Sequence, residues 1–187
     1  AAAVVQVGTG EVLSLASYPT FSLKTFNEDY TENNPDPLQP FWNRATQGTY
    51  APGSTFKPVT AIAALETGII TPKSTILTKG VYHYGDWAYK CWLYNQNGGT
   101  HGRIDVTEAI KVSCNYFFYD IGRRTGISTI ARYASAFGLG EPTGIEIPEK
   151  IGVMTTPDYV NSLDGHYWTD GQTLTAAIGQ SYSLFTP

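Results

Sequence analysis

Two short apolar runs, AAAVVQV and EVLSLAS, open the chain on either side of Gly8-Thr9-Gly10, a pattern that predicts a β-hairpin. Between Tyr18 and Tyr50 the apolar pattern gives way to Asn, Asp, Pro and Thr, as in TENNPDPLQP, and predicts loop. From Phe56 the period changes. Phe56, Val59, Ile62/Ala63 and Leu65 recur at helical spacing, and Gly68 is placed to end that helix. The next stretch, VYHYGDWAYKCWLYNQNGGTHG, is rich in aromatics and shows no clear period. Asp105 followed three residues on by Glu108 is a capping box that opens a helix through AIKV. A second helical run, NYFFYDIGRRTG, ends at Gly122 or Gly126, and Ser128 is expected to cap a third, STIARYASAFG. EPTGIEIPEKIGV suits a short extended excursion, and TLTAAIGQSYSLFTP begins as a helix that breaks at Gly179. The expected molecule is dominated by helices, with one strand pair at its N-terminal edge.

The start of the first helix carries candidate chemistry. Pro52-Gly53 stops any preceding element, and Pro58 has no N–H to give, so regular helical bonding begins around Thr55 or later. Ser54 then sits at the very start of the helix, and Lys57 lies about one turn on, along the same face. A lysine held between Phe56 and Pro58 is partly desolvated, which lowers its pKa and fits it to take a proton from a serine nucleophile. The ordinary reading of the pair is a capping serine and a solvated lysine, since Ser-x-x-Lys arises about once by chance in a chain of this length. The second candidate is Ser113-Cys114-Asn115, at the junction of two predicted helices. Its alternation sends Ser113 and Asn115 to one side of a short loop, where a hydroxyl can relay a proton and an amide can hold a carbonyl or the lysine. A helix stop followed by a new cap explains the same residues without chemistry.

Composition narrows the function classes. At 187 residues, 42% hydrophobic and 15% charged, the chain is globular and long enough for one domain with a real core. A net charge of −4 and the lack of any Lys/Arg run argue against a nucleic-acid partner. No run reaches the length of a membrane span and no leader opens the chain, but the pattern starts abruptly and stops at FTP, as expected of a piece of a longer protein. Cys91 and Cys114 are too few for a zinc site by themselves. The three histidines, His83, His101 and His166, show no ligand spacing relative to them, so no metal is expected. A Cys91–Cys114 disulfide, worth about 3 kcal/mol of loop closure, and a pair of buried thiols remain equal alternatives. Trp87, Trp92, Tyr94 and Trp168 suit an exposed binding surface or ordinary core packing.

Over essentially its whole length the sequence resembles the transpeptidase domain of class B penicillin-binding proteins, of the elongation or sporulation type. The likeness rests on NRATQGTYAPGSTFKPVTAIAALETG, HGRIDVTEAIKVSCNYFFYDIG, EPTGIEIPEK and AIGQSYSLFTP, in the family's order and spacing. The family's Ser-x-x-Lys motif matches Ser54 and Lys57, and its Ser-x-Asn motif matches Ser113 and Asn115. The resemblance implies an α/β penicillin-recognising serine transpeptidase/β-lactamase-like fold, present here mainly as its helical subdomain plus the N-terminal hairpin. The third motif, Lys-Thr-Gly or Lys-Ser-Gly, is nowhere in residues 1–187. Residues 1–187 are therefore expected to form a partial domain without the later strands, without one of two oxyanion donors, and without the family's N-terminal membrane anchor.

By the same resemblance, Ser54 attacks the carbonyl between the terminal D-alanines of a peptidoglycan stem peptide, and Lys57 takes its proton. Ser113 protonates the leaving D-alanine, Asn115 binds the substrate amide and orients Lys57, and no cofactor is needed. The implied partners are stem peptides, β-lactam antibiotics and other cell-wall synthesis proteins, at the extracytoplasmic face of a bacterial membrane. Two alternatives stand beside this. A serine β-lactamase or β-lactam sensor would share the nucleophile, with Glu146 or Glu149 as a candidate deacylating base. A non-catalytic cell-wall scaffold would share only the fold.

Overall fold

The N-terminal hairpin forms: β1 (Ala2–Val5) pairs antiparallel with β2 (Val12–Ala16), Ala2 facing Ala16, with a register irregularity between Val4 and Val5. In the computed structural model, which describes residues 1–30 and 36–187, this hairpin belongs to the first of two units. That unit comprises Ala1–Tyr50, Glu141–Gly152 and Leu184–Pro187. Thr31–Pro35, the TENNP of the predicted loop, lie outside the described residues. The rest of the loop is mostly turns, as predicted, but it contains one helical turn, α1 (Phe26–Asp29). The reason is local packing. Phe26 and Tyr30 pack on Phe41, and Phe21 stacks on the same ring, so four aromatics collapse around a segment whose composition favours turns. Tyr50 and Phe185 exchange backbone hydrogen bonds of 2.8 and 2.9 Å. EPTGIEIPEK forms no strand. It is folded back on itself by Glu149, whose carboxylate accepts from the Thr143 N–H and hydroxyl.

The second unit comprises Ala51–Gly140 and Val153–Ser183. A turn of 3-10 helix, Gly53–Phe56, leads into α2 (Lys57–Glu66), and Gly68, at φ +70°, stops it as predicted. The aperiodic aromatic stretch resolves into β3 (Ile76–Thr78), β4 (Val81–Tyr84), β5 (Trp87–Lys90), α3 (Trp92–Asn97) and β6 (Gly102–Ile104). β3 pairs with β6 and β4 with β5, both antiparallel. The β4–β5 hairpin gathers Tyr82, Tyr84, Trp87 and Tyr89 on one face and Val81, His83, Ala88 and Lys90 on the other. It is hidden in the sequence because each strand has only four residues, too short a run for the period-two alternation to stand out. Asp105 caps α4 (Val106–Lys111) by accepting from Glu108 N–H at 2.9 Å, as the capping box requires. α5 (Asn115–Thr125) runs through Gly122 and stops at Gly126. α6 (Ile127–Ala136) starts at once, with Gly126 at φ +80° taking the bend, so Ser128 lies inside the helix rather than at its cap. α7 (Pro157–Asn161) and α8 (Gly171–Ala176) complete the unit.

The core lies around α2 and α5. Ala61 and Ala64 of α2 meet Phe117, Phe118 and Ile121 of α5, with Leu174 of α8 beside them. Small residues on α2 let the helices approach closely, and Gly122 does the same for α5: a Cβ there would come 2.3 Å from Ala177 Cβ. Among the described residues no helix is long and apolar enough to cross a membrane.

Candidate active site

The first helix begins as its residues require. Gly53, at φ +55°, donates its N–H to Gly179 O at 2.8 Å. The two backbones touch so closely that a Cβ on Gly179 would sit 2.1 Å from Gly53 O. Gly179, itself at φ +71°, thus breaks the last helix and seats the turn that bears Ser54. Pro58 falls in the first turn of α2, where a missing N–H costs nothing. Ser54 is exposed, while Lys57, three residues on, is 2% exposed.

The second motif arrives from the α4–α5 junction. Past Val112 the chain turns through Ser113, a non-glycine residue at φ +51°, and restarts as α5 with Cys114 at its cap and Asn115 at its first position. Trp92 Nε1 donates to Val112 O at 3.0 Å and steadies this turn. Lys57 Nζ reaches it with all three donors, to Ser113 O and Ser113 Oγ at 2.9 Å and Asn115 Oδ1 at 2.6 Å. Ser113 Oγ in turn donates to Ser54 Oγ at 3.0 Å. The ammonium also sits 5.6 Å from the centre of the Phe118 ring.

All four residues singled out in the sequence therefore meet in one site. The connection has a particular order: hydroxyl, hydroxyl, amine. Among the described residues no hydrogen bond joins Lys57 to Ser54 directly, so Ser113 stands between them. Burial brings the Lys57 pKa down from 10.5 to about 8, against a smaller upward pull from the Cys91 and Cys114 thiols. A lysine so placed can lose its proton near neutral pH and accept another through Ser113. The site is thus equipped to activate Ser54 as a nucleophile.

Behind the Ser-x-Asn turn lies a cluster that linear spacing does not reveal. Cys91 Sγ is 3.9 Å from Cys114 Sγ and 3.8 Å from His101 Nδ1, and the three ligand atoms lie within 4.8 Å of one another. The expectation that no histidine is placed to join the cysteines is corrected here: α3 and the turn after it bring His101 back beside Cys91. Both cysteines are buried free thiols. Hydrogen bonding from Cys114 and from backbone N–H groups lowers the Cys91 pKa, whereas donating that bond and being buried raise that of Cys114. Two sulfurs and an imidazole form a donor set that could hold a soft divalent ion. Cys114 faces away from the Ser113 and Asn115 side chains, into the core, as the alternation implies.

Residues 1–186 match the family described as the penicillin binding protein transpeptidase domain. The chain belongs to this family. Among its relatives, peptidoglycan D,D-transpeptidase MrdA of Escherichia coli K12 is 35% identical over 200 residues, covering all of this chain and 30% of the relative. Stage V sporulation protein D of Bacillus subtilis is 31% identical over 180 residues, covering 94% of this chain and 25% of the relative. The penicillin-binding protein PBP2 of Helicobacter pylori superposes with a TM-score of 0.88 at 28% identity, over 98% of this chain and 35% of the other. This transpeptidase chain thus spans under a third of the length of those curated relatives. The penicillin-recognising fold read from the motifs is the observed one. For the alternatives, the Glu149 carboxylate is engaged by Thr143 within its own loop, and Glu146 is exposed.

Proposed function

We propose that this chain carries the serine-acylating machinery of a peptidoglycan D,D-transpeptidase. The observation that carries the reading is the continuous path from exposed Ser54 through Ser113 to buried Lys57. Neutral Lys57 draws the proton of Ser113 Oγ, which draws that of Ser54. Ser54 Oγ attacks the carbonyl of the penultimate D-alanine, and the C–N bond to the terminal D-alanine breaks. The proton returns through Ser113 to the leaving amine, giving an acyl-enzyme on Ser54. An amine of a second stem peptide attacks the ester, forms the cross-link and releases Ser54. Asn115 Oδ1 holds Lys57, and the same amide is assigned to contact a substrate carbonyl. β-Lactams acylate Ser54 by the same attack.

The names of the relatives, peptidoglycan D,D-transpeptidase and sporulation protein, support a cell-wall role, which we place at the extracytoplasmic face of a membrane. The H. pylori protein has been seen in complex with MreC, and a partner from the cell-wall machinery is proposed here likewise. The test is intact-mass spectrometry after benzylpenicillin, on a protein that includes this chain at the length of its relatives, with Ser54→Ala beside it. One drug mass, stable over hours and lost in the variant, is expected. An adduct that hydrolyses within seconds would make the protein a β-lactamase. No adduct on folded protein would leave the scaffold reading.

The thiol pair belongs to the same proposal. Their separation of 3.9 Å must close to about 2.05 Å for a disulfide. Oxidation by a disulfide partner, which takes up the two electrons and two protons of the thiols, would pull Cys114 and with it the flanking Ser113 and Asn115. After treatment with a disulfide oxidant, thiol titration with and without reductant should find two free thiols only after reduction. Two free thiols under oxidising conditions would exclude the pairing.

A further inference from the structure

A cleft of about 630 Å³ lies in the second unit, away from the Ser54 cluster, between the β4–β5 hairpin and the segment that leads into α8. Its walls include Tyr84, Asp86 and Trp87 from the hairpin tip and Thr169, Asp170 and Gln172 from the opposite side. We propose that this cleft is a saccharide subsite that takes a β-linked N-acetylhexosamine glycan. The inference rests on the transpeptidase reading, which makes a glycan-borne peptide the substrate.

Three features support it. Trp87 is 72% exposed at the tip of a hairpin, where it serves no core, and it lines the cleft. An indole face covers the C–H face of a pyranose ring, an amphipathic match that gives an exposed aromatic a use. Asp86 and Asp170 line the same space, and among the described residues neither has an ion-pair partner. Free carboxylates accept strongly from sugar hydroxyls and from an acetamide N–H. Gln172 Oε1 accepts from Thr169 N–H at 2.9 Å, which leaves its amide N–H groups to donate to a sugar oxygen. The walls are also held in place. Tyr89 hydroxyl donates to Gly171 O at 3.4 Å, and a Cβ on Gly171 would come 2.5 Å from that hydroxyl. The Tyr89 ring packs on buried Tyr119, so the hairpin wall is tied to the core. Among the described residues no lysine or arginine lines the cleft, which disfavours a peptide carboxylate and favours a neutral glycan.

The probe is chitotetraose, the β-1,4-linked tetramer of N-acetylglucosamine, titrated by NMR and tryptophan fluorescence into the chain and into Trp87→Ala, Trp87→Phe and Asp170→Asn. Trp87 is exposed, so its truncation leaves the fold intact. Trp87→Ala and Asp170→Asn should each weaken binding on the order of tenfold, while Trp87→Phe restores most of it. Benzylpenicillin acylation of the protein at the length of its relatives should be unchanged in all three. Absence of binding, equal binding by Trp87→Ala, or displacement of the glycan by a sugar-free stem tripeptide bearing a free amine would overturn the subsite. Glycan binding without any penicillin adduct would instead defeat the transpeptidase reading alone.

Discussion

Lys57 is the residue on which the chemistry turns. Its three donors are all satisfied, yet burial brings its pKa to about 8 rather than 10.5. With the neutral amine as the proposed base, the rate of Ser54 acylation should climb with pH and level off above about 8; a rate flat from pH 6 to 9 would mean that Lys57 is not the titrating group. The same shift bears on folding. The unfolded chain binds the lysine proton up to pH 10.5 and the folded chain only up to about 8. The folded state therefore holds fewer protons in between, and stability attributable to Lys57 should rise with pH across that window. Urea unfolding at pH 7 and pH 9 reads the difference. The partnership of Ser54, Lys57, Ser113 and Asn115 was legible in the sequence through two motifs and the apolar flanks of the lysine. What spacing could not show was that Ser113 stands between Ser54 and Lys57. That depends on the left-handed turn at Ser113, where no glycine marks the position. His101 was hidden for a similar reason: a contact made through the intervening α3 leaves no periodic trace.

At the scale of elements, caps and glycines do most of the positioning. Asp105→Ala removes the α4 cap and should cost about 1 kcal/mol, lowering Tm by roughly 2–4 °C in a chain of this size. Since α4 delivers the Ser113 turn, its fraying should also slow acylation, which a mass-spectrometric time course would detect. Gly179→Ala acts more directly. A methyl group 2.1 Å from Gly53 O must push the α8 end and the Ser54 turn apart, and a displacement near 1 Å can cost on the order of 10² in rate. Acylation should fall by that order while the far-UV circular dichroism stays helical; unchanged acylation would show that the contact yields without moving Ser54. The helices α2, α4, α5, α6 and α8 were legible because the capping box and the 3.6-residue period are local signals, whereas the short α1, α3 and α7 carry too few residues to show a period. The β4–β5 hairpin was not, because its one-sided row of Tyr82, Tyr84, Trp87 and Tyr89 is spread over two strands of four residues, each too short for the alternation to stand out.

For the whole molecule, the acidic balance argues against a nucleic-acid partner, and the family match is to a penicillin binding protein transpeptidase domain. The helical second unit by itself brings together Ser54, Ser113, Lys57 and Asn115, the residues proposed as nucleophile, relay, base and amide. The proposed catalytic group is thus built around one helix pair, α2 and α5, whose buried packing fixes Lys57 against the Ser-x-Asn turn. The most direct test is the time course of benzylpenicillin acylation at pH 8, with the adduct located by peptide mapping, for the protein that includes this chain at the length of its relatives and for its Ser113→Ala variant. The account predicts one adduct on the peptide that contains Ser54, forming on the order of 10²–10⁴ more slowly in the variant. An adduct on another residue, or equal rates in the two proteins, would contradict it.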